Sequence, residues 1–425
     1  MTETKNNGKL IAIITMCFIF AMISFVTNMG APFGNIWGFE YPFAKAWGNL
    51  MNFAAYLFMG IPAGKMLTKF GYKKTALIAL IVGIVGLVFQ YLSSLVGAGT
   101  YVFTYDSVPV ALNLIIYLLG AFICGFCVCM LNTVVNPMLN LLGGGGNKGN
   151  QLIQVGGTLN SLTGTLTPLL AGILVGTVTK DTSMSDVAPL LFIGMAVFAI
   201  SFVIISRVSI PEPTLGKVSP KYERSPLAFR HCVLGVIAIF FYVGIEIGIP
   251  MELNFYVTKL PFEGAAAIGG TLAAAYWLLM MIGRACSSAI SGKVSTKTQL
   301  STVSAVAIIL LLIAIFMPES VTIGFSGHDV PAKAFLIPAC GLCTSVMWGG
   351  IFNLSVEGLG KYTEAASGIF MTMVVGGGVM PLIQEAIAKS AGEIFSYWLV
   401  IAMLAYILFY ALIGSKNVNT DIKVD

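Results

Sequence analysis

Long apolar runs recur along the whole chain and constrain its fold more than any other feature. We place twelve of them, each of about 18 residues or more, enough for a helix to cross roughly 30 Å of hydrocarbon. Their bounds are 9–33, 44–68, 74–97, 108–141, 151–178, 187–207, 230–258, 264–290, 298–317, 332–356, 364–388 and 393–414, called spans 1 to 12 below. The alternating pattern of a transmembrane barrel does not occur. The sequence therefore predicts an all-α membrane protein with twelve transmembrane helices.

Charged residues are scarce and unevenly placed. They make up 10% of the 425 residues, against about 25% in soluble domains. The basic residues on the side opposite to the termini are Lys45, Lys180, Lys259, Lys333 and Lys389. By the positive-inside rule, both termini are expected in the cytoplasm, and Arg284, near the end of span 8, is interpreted as an anchor at that face. The net charge of +5 reflects this bias and gives no reason to invoke nucleic acid.

A long charged and Pro-rich segment follows span 6 and divides the chain. We predict an N-terminal six-helix bundle over 1–207, a cytoplasmic linker over 208–229 and a C-terminal six-helix bundle over 230–425. A shift of about 216 to 218 residues places FVTNMGAP over YVGIEIGIP, and GFC at Gly125 over GLC at Gly341. This repeat predicts two pseudo-symmetric bundles that rock around a central cavity, the alternating-access arrangement.

Several motifs are shared with one transporter family. The most specific is the stretch Ser345–Gln384, which contains EGLGKYT, SGI and a glycine triplet before Pro-Leu. MLNTVVNPMLNLLG in span 4, YVGIEI in span 7 and IGRACSSAISGKVS in span 8 add to it. Together they resemble the fucose/proton symporter family of the major facilitator superfamily, which includes glucose/galactose permeases. The resemblance covers nearly the whole chain and implies a permease for a monosaccharide or small saccharide in a bacterial inner membrane, usually driven by an ion gradient.

The chain departs from this family where proton coupling resides. Proton-coupled members carry an aspartate in span 1 and a glutamate in span 4, and these positions read Met29 and Asn132 here. Proton symport by the usual route of the family is therefore not expected. A coupling proton, a coupling sodium ion and an uncoupled facilitator all stay open, and no other cofactor is expected.

Two glutamates in span 7 are candidates for ion coupling. An isolated carboxylate at the bilayer centre costs about 3 kcal/mol or more, so it normally faces a partner or water. Glu246 precedes Pro250 by one helical turn, where proline frees a backbone carbonyl. We expect Glu246 to bind a sugar hydroxyl or the coupling cation, with a paired structural glutamate as the alternative. Glu252 is expected nearer the outer mouth, with a merely water-exposed residue as the alternative.

Amides and aromatic rings supply the other candidate binding groups. The amides are Asn28, Asn132, Asn136, Gln154, Asn160 and Asn353. The rings are Tyr242, Tyr276, Trp277 and Trp348. An amide donates and accepts at once, as sugar hydroxyls require, and an aromatic face stacks on a sugar ring. Amides can equally join two helices, and rings in membrane helices more often serve packing.

Two CxxC pairs, CGFC from Cys124 and CGLC from Cys340, have the spacing of zinc and redox sites. Each pair lies inside an apolar span, where cysteine packs as a small side chain. Neither a metal site nor a disulfide is therefore expected.

The predicted function is secondary uptake of a saccharide. The alternatives are an uncoupled sugar facilitator, a drug or lipid exporter of the same fold and, less favoured, a transporter-like sugar sensor. An enzyme is not expected, because the two histidines, His231 and His328, lie near a helix end and in a loop. The expected partners are the saccharide and the lipid bilayer, and the architecture requires no second copy, so we expect a monomer.

Overall fold

The computed structural model describes residues 2–44, 47–175, 181–212, 223–419, 422 and 424. Lys45, Lys180 and residues 213–222 of the predicted linker lie outside this part of the chain. Within it, ten helical stretches are long and apolar enough to cross a membrane. One of them, Pro42–Leu92, has 51 residues, the length of two crossings, and the 30-residue helix Gly146–Val175 adds another. The predicted twelve-helix, all-α membrane fold is therefore confirmed.

In the described residues of the N-terminal half there are five α-helices. They are α1 (Thr2–Glu40), α2 (Trp47–Leu92), α3 (Leu112–Gly143), α4 (Gly146–Val175) and α5 (Ala188–Arg207). The single helix α2 covers spans 2 and 3, which are separated at Gly71 by a non-helical residue with φ 83° and ψ 174°. Only glycine adopts this backbone without strain. The Glu212 carboxylate accepts from the amides of Tyr72 and Lys73, at 2.7 and 2.8 Å, and so caps the second part of α2.

The C-terminal half has more breaks. Its continuous helices are α6 (Arg230–Thr258), α7 (Ala265–Ile290), α8 (Thr296–Phe316) and α14 (Glu393–Phe409). Span 10 consists of α9 (Lys333–Leu336), a 3-10 turn (Ile337–Ala339), α10 (Cys340–Thr344) and α11 (Met347–Val356). Span 11 consists of α12 (Thr363–Thr372), a 3-10 turn (Met373–Val375) and α13 (Gly376–Ala391). Pro338 explains the first of these breaks, because it has no N–H to donate.

A short β-hairpin precedes span 4 and another precedes span 10. The first pairs β1 (Tyr101–Tyr105) with β2 (Val108–Ala111), and the second pairs β3 (Thr322–Phe325) with β4 (His328–Pro331). Both turns have two residues with positive φ, Asp106–Ser107 and Ser326–Gly327, as tight hairpins require. The prediction that span 4 begins at residue 108 is wrong, because Val108–Ala111 form a strand and α3 begins at Leu112.

The internal repeat is visible in how helices pack within each half. A Cβ at Gly125 of α3 would clash with the backbone carbonyl of Asn52 in α2. A Cβ at Gly341 of α10 would clash in the same way with the carbonyl of Tyr276 in α7. The two glycines that the sequence aligned therefore both let span 4 or span 10 approach a neighbouring backbone closely.

Two compact units make up the chain. The first contains Met1–Leu139, Leu162–Lys221 and Ser367–Thr372. The second contains Asn140–Ser161, Tyr222–Ala366 and Met373–Asp425, so it includes the first half of α4. The predicted bundle boundaries at residues 207 and 230 stay predictions.

Candidate functional site

A buried ion pair joins α6 to α7 in the second unit. Arg284 Nη2 donates to Glu246 Oε1 at 3.1 Å, and only 9% and 14% of the two side chains are exposed. Each charge compensates the other, since a lone charge at this depth would cost about 3 kcal/mol or more. Glu246 thus has the partner that its burial demanded. The prediction that Arg284 anchors the cytoplasmic face is wrong, because its guanidinium turns inward to this carboxylate.

Helix α4 supplies further acceptors to Arg284. Nη1 of this side chain donates to Ser161 Oγ at 2.8 Å and to the Gly157 carbonyl at 3.2 Å. A weaker contact of 3.4 Å reaches Asn160 Oδ1. Gly157 leaves room for the arginine stem, since a Cβ there would stand 3.3 Å from Arg284 Cδ. Three helices, α4, α6 and α7, therefore meet at one guanidinium group, whose planar donors suit several acceptors at once.

Tyr242 brings an unsatisfied hydroxyl to this pair. It lies one turn before Glu246 on α6, and its hydroxyl approaches both charged groups without making a hydrogen bond of ordinary geometry. A buried hydroxyl without a partner costs about 1–3 kcal/mol. The ring packs edge-on against Trp348, with centroids 6.3 Å apart. The predicted residues Tyr242, Glu246 and Trp348 thus lie together, beside a hydroxyl that can still donate and accept.

The remaining aromatic candidates lie on α7. Tyr276 is fully buried and its hydroxyl bonds Thr344 Oγ1 at 2.8 Å. Trp277 packs edge-on against Tyr276 at 5.5 Å and keeps 36% of its surface exposed. Tyr276 therefore has a partner inside the protein, whereas Trp277 lies on an exposed face of the helix.

Gln154 and Asn353 take part in helix-joining hydrogen bonds. Gln154 Nε2 donates to the carbonyl of Val346, which lies at the break between α10 and α11. Asn353 donates to Thr296 Oγ1 at 3.2 Å and accepts from Asn140 at 2.6 Å, which connects it to the start of α8. The substrate-binding roles of these two amides stay predictions, with a structural role visible for each.

The amides of the first unit form their own contacts. Asn132 Nδ2 donates to the Tyr56 hydroxyl at 2.9 Å, and Asn136 donates to the Asn132 carbonyl at 2.8 Å. Asn28 donates to the carbonyl and the hydroxyl of Ser24, at 2.8 and 3.1 Å, on its own helix. The expected Asn132–Asn136 neighbourhood is present, and Tyr56 joins it. Their roles in binding stay predictions.

Glu252 is fully buried, so the alternative of a merely water-exposed residue is wrong. Its expected place nearer the outer mouth stays a prediction. Neither of its carboxylate oxygens has a hydrogen-bond partner among the described residues. Its role in coupling stays a prediction.

Sequence reasoning missed the residues that complete these contacts. Arg284, Ser161 and Tyr56 were not among the predicted binding residues, although the burial of Glu246 demanded a cation nearby.

The four CxxC thiols are buried inside α3 and α10. No group of three or more possible metal ligands occurs in the part of the chain that the structure describes.

Comparison with known proteins defines the class. The family profile of the Major Facilitator Superfamily matches residues 10–382. A glucose/galactose transporter of Brucella abortus biovar 1 (strain 9-941) is 30% identical, over 98% of this chain and 97% of the relative. A putative glucose/galactose transporter of Helicobacter pylori (strain ATCC 700392 / 26695) is 27% identical, over 98% of this chain and 99% of the relative.

A solved structure has a similar fold. The fold is similar to that of a variant of the E. coli fucose:proton symporter FucP, with a TM-score of 0.78 over 96% of this chain and 100% of that one, at 18% identity. The protein therefore belongs to the major facilitator superfamily and, within it, to the family of fucose and glucose/galactose permeases. It is a multi-pass membrane transporter rather than an enzyme.

Proposed function

We propose that this transporter takes up a monosaccharide or small saccharide across a bacterial inner membrane by alternating access. Both termini are then cytoplasmic, as the lysine and arginine bias requires, and the monomer is the working unit. The proposal rests on the relatives that are glucose/galactose transporters, and on the chemistry around Glu246 and Arg284.

The grouping of Glu246, Arg284, Tyr242 and Trp348 carries this proposal. A sugar hydroxyl both donates and accepts, so a carboxylate and a guanidinium side by side can hold two neighbouring hydroxyls. The free hydroxyl of Tyr242 offers a third polar contact, and Trp348 offers an apolar ring beside it. An apolar cavity that binds drugs or lipids would not need a buried ion pair of this kind.

Coupling to an ion gradient is part of the proposal, with the coupling group among the C-terminal acids. The similar fold of FucP belongs to a fucose:proton symporter. Because Met29 and Asn132 replace the two acids of that route, we assign the response to a proton or sodium ion to the two acids of α6, Glu246 and Glu252. An uncoupled sugar facilitator is the second candidate. It is favoured because Met29 and Asn132 cannot bind a proton as the two acids of that route do.

The test is uptake of labelled glucose, galactose, fucose and a disaccharide into proteoliposomes that contain the full chain. We expect saturable uptake of at least one monosaccharide, at least a tenfold loss in Glu246→Gln, and retained uptake in Glu263→Gln. Glu263 is an exposed acid between α6 and α7, so it controls for the loss of one negative charge. Absence of saccharide uptake and of saccharide counterflow in the wild type would overturn the proposal.

A further inference from the structure

A cavity at the end of α6 is lined by an acid that has no partner among the described residues. The cavity has a volume of about 270 Å³ and lies where α6 meets α13 and the start of α14. Glu252 lines it, although the side chain is fully buried and both of its oxygens are unsatisfied. A bare carboxylate in such a place is strongly unfavourable, so a bound proton or cation would stabilise it.

The charged groups around Glu252 are already matched with one another. From α13, Glu385 and Lys389 form an ion pair of 2.7 Å, one turn apart. From α14, Glu393 pairs with Lys259, the residue that follows α6. Each neighbouring lysine therefore has its own carboxylate, and Glu252 is the acid lining this cavity that is left without a counter-charge.

Another acid in this part of the second unit, Glu319, also has partners. Glu319 is held by Lys333 at 2.8 Å and accepts from the Tyr256 hydroxyl, one turn beyond Glu252 on α6. Tyr256 therefore directs its hydroxyl to Glu319 rather than to Glu252. Tyr397 of α14 also lies near Glu252, but its hydroxyl donates to a backbone carbonyl of α6 at 2.9 Å. None of these lysines and tyrosines therefore supplies the missing partner.

What this part of the protein lacks is a hydrogen-bond donor. Gln384 of α13 is buried, and its carbonyl oxygen also has no partner among the described residues. That oxygen lies against Gly248, one turn before Glu252 on the same helix. Both unsatisfied groups are acceptors, so a proton on Glu252 would neutralise the acid and supply a donor at once. A metal ion would need several free oxygen ligands, and the other two carboxylates here are bound to lysines.

Water can reach the cavity at the ends of its helices. The side chains of Lys259 and Lys389, on its rim, are 67% and 73% exposed. A proton would therefore enter at this exposed rim and reach the buried Glu252 through the cavity.

We propose that Glu252 is the proton-binding site by which this transporter couples saccharide uptake to proton entry, in place of the acids absent from spans 1 and 4. The carboxylate takes up one proton from the outer side and releases it on the inner side in each cycle. Glu246, held by Arg284, then serves the substrate. This assignment rests on the proposed function of saccharide uptake.

The first test does not depend on transport. Infrared difference spectra of the purified full chain against Glu252→Gln at neutral pH should show the band of a protonated carboxyl in the wild type alone. Glu263→Gln, the exposed control, should keep the band. Spectra without such a difference would overturn the proposal, and a pH titration of the wild-type band gives the same information if the glutamine variant does not fold.

The second test uses proteoliposomes with an imposed pH gradient. We expect the wild type to accumulate saccharide and Glu252→Gln to reach only equal concentrations on both sides, with counterflow within about twofold of the wild type. Glu252→Asp, which keeps an ionisable group, should retain part of the accumulation. Accumulation that persists in Glu252→Gln, or that follows a sodium gradient at equal pH, would overturn the proton assignment. A wild type without counterflow would instead refute saccharide transport, while the infrared result would stand.

Discussion

The two units bury different polar groups at positions related by the internal repeat. In the first unit, Asn28 bonds its own helix and Asn132 bonds Tyr56, so only neutral groups are involved. In the second unit, the position related to Asn28 is Glu246, which is paired with Arg284. Of the two repeat-related positions, the one with a charged residue is therefore the one that has an oppositely charged side chain within hydrogen-bonding distance. The neutral copy can change its amides at little cost, whereas the charged copy cannot lose one partner alone.

Arg284→Gln should give the largest effect, because it leaves Glu246 charged and unpaired. Removal of one partner of a buried pair costs about 3–5 kcal/mol. We expect a strongly lowered unfolding temperature and no uptake. The double variant Glu246→Gln/Arg284→Gln should recover most of the stability but not the uptake. A double variant as unstable as the single one would show that the arginine acts through α4 instead.

Gly164→Ala should have the next largest effect, in the neutral unit. A Cβ at Gly164 would stand 2.8 Å from Ser24 Oγ and 3.0 Å from Asn28 Nδ2. These two side chains, which bond each other, would have to shift together, or α1 and α4 would have to separate. Overpacking of this kind costs about 1–3 kcal/mol. Gly157→Ala is the matched control, because its Cβ would meet the flexible stem of Arg284 at 3.3 Å. Thermal unfolding of both variants checks the difference, and an equal loss would contradict it.

Tyr242→Phe separates binding from stability in the charged unit. The variant removes a buried hydroxyl that has no partner among the described residues, so stability should stay the same or rise by about 1 kcal/mol. Saccharide uptake at low concentration should fall about tenfold, which corresponds to about 1.4 kcal/mol of lost binding. Unchanged uptake would mean that the hydroxyl does not contact the substrate.

Tyr56→Phe should have the smallest effect. It removes the hydrogen bond from Asn132, and such bonds between membrane helices contribute about 0.6 kcal/mol on average. We expect a slightly lowered unfolding temperature. A large loss of uptake with little change in the unfolding temperature would indicate that the Tyr56–Asn132 pair binds substrate. The first unit would then also contribute to the binding site.

The number and order of helices could be predicted because each crossing needs its own apolar run. The repeat could be predicted from shared motifs such as GFC and GLC, and the structure shows why, since both glycines lie against a neighbouring backbone. The hairpins could not be predicted, because a strand of four or five residues next to an apolar span has the same apolar composition as the helix that follows. The 3-10 turn at Met373–Val375 has no proline to mark it.

The candidate site was predicted less completely than the fold. The burial of its residues and their hydrogen-bond partners depend on the direction in which each side chain points, which the sequence does not give. Glu246 was conspicuous because a carboxylate in an apolar run demands an explanation. Arg284 was misplaced because an arginine six residues before the end of α7 can extend toward water or turn inward, and the sequence does not decide between them. The burial of Glu252 was not predicted for the same reason, because position along a helix does not by itself give burial.

The matched hairpins offer handles for following each half of the transporter separately. Both tips are two-residue turns, and both hairpins are closed at the base by the same backbone hydrogen bond of 2.8 Å, from Leu112 to Thr100 and from Ala332 to Val321. A short epitope or a fluorophore inserted at either tip would lie beyond the paired strands and leave the helix that follows intact. Probes at the two tips would therefore report on each half separately.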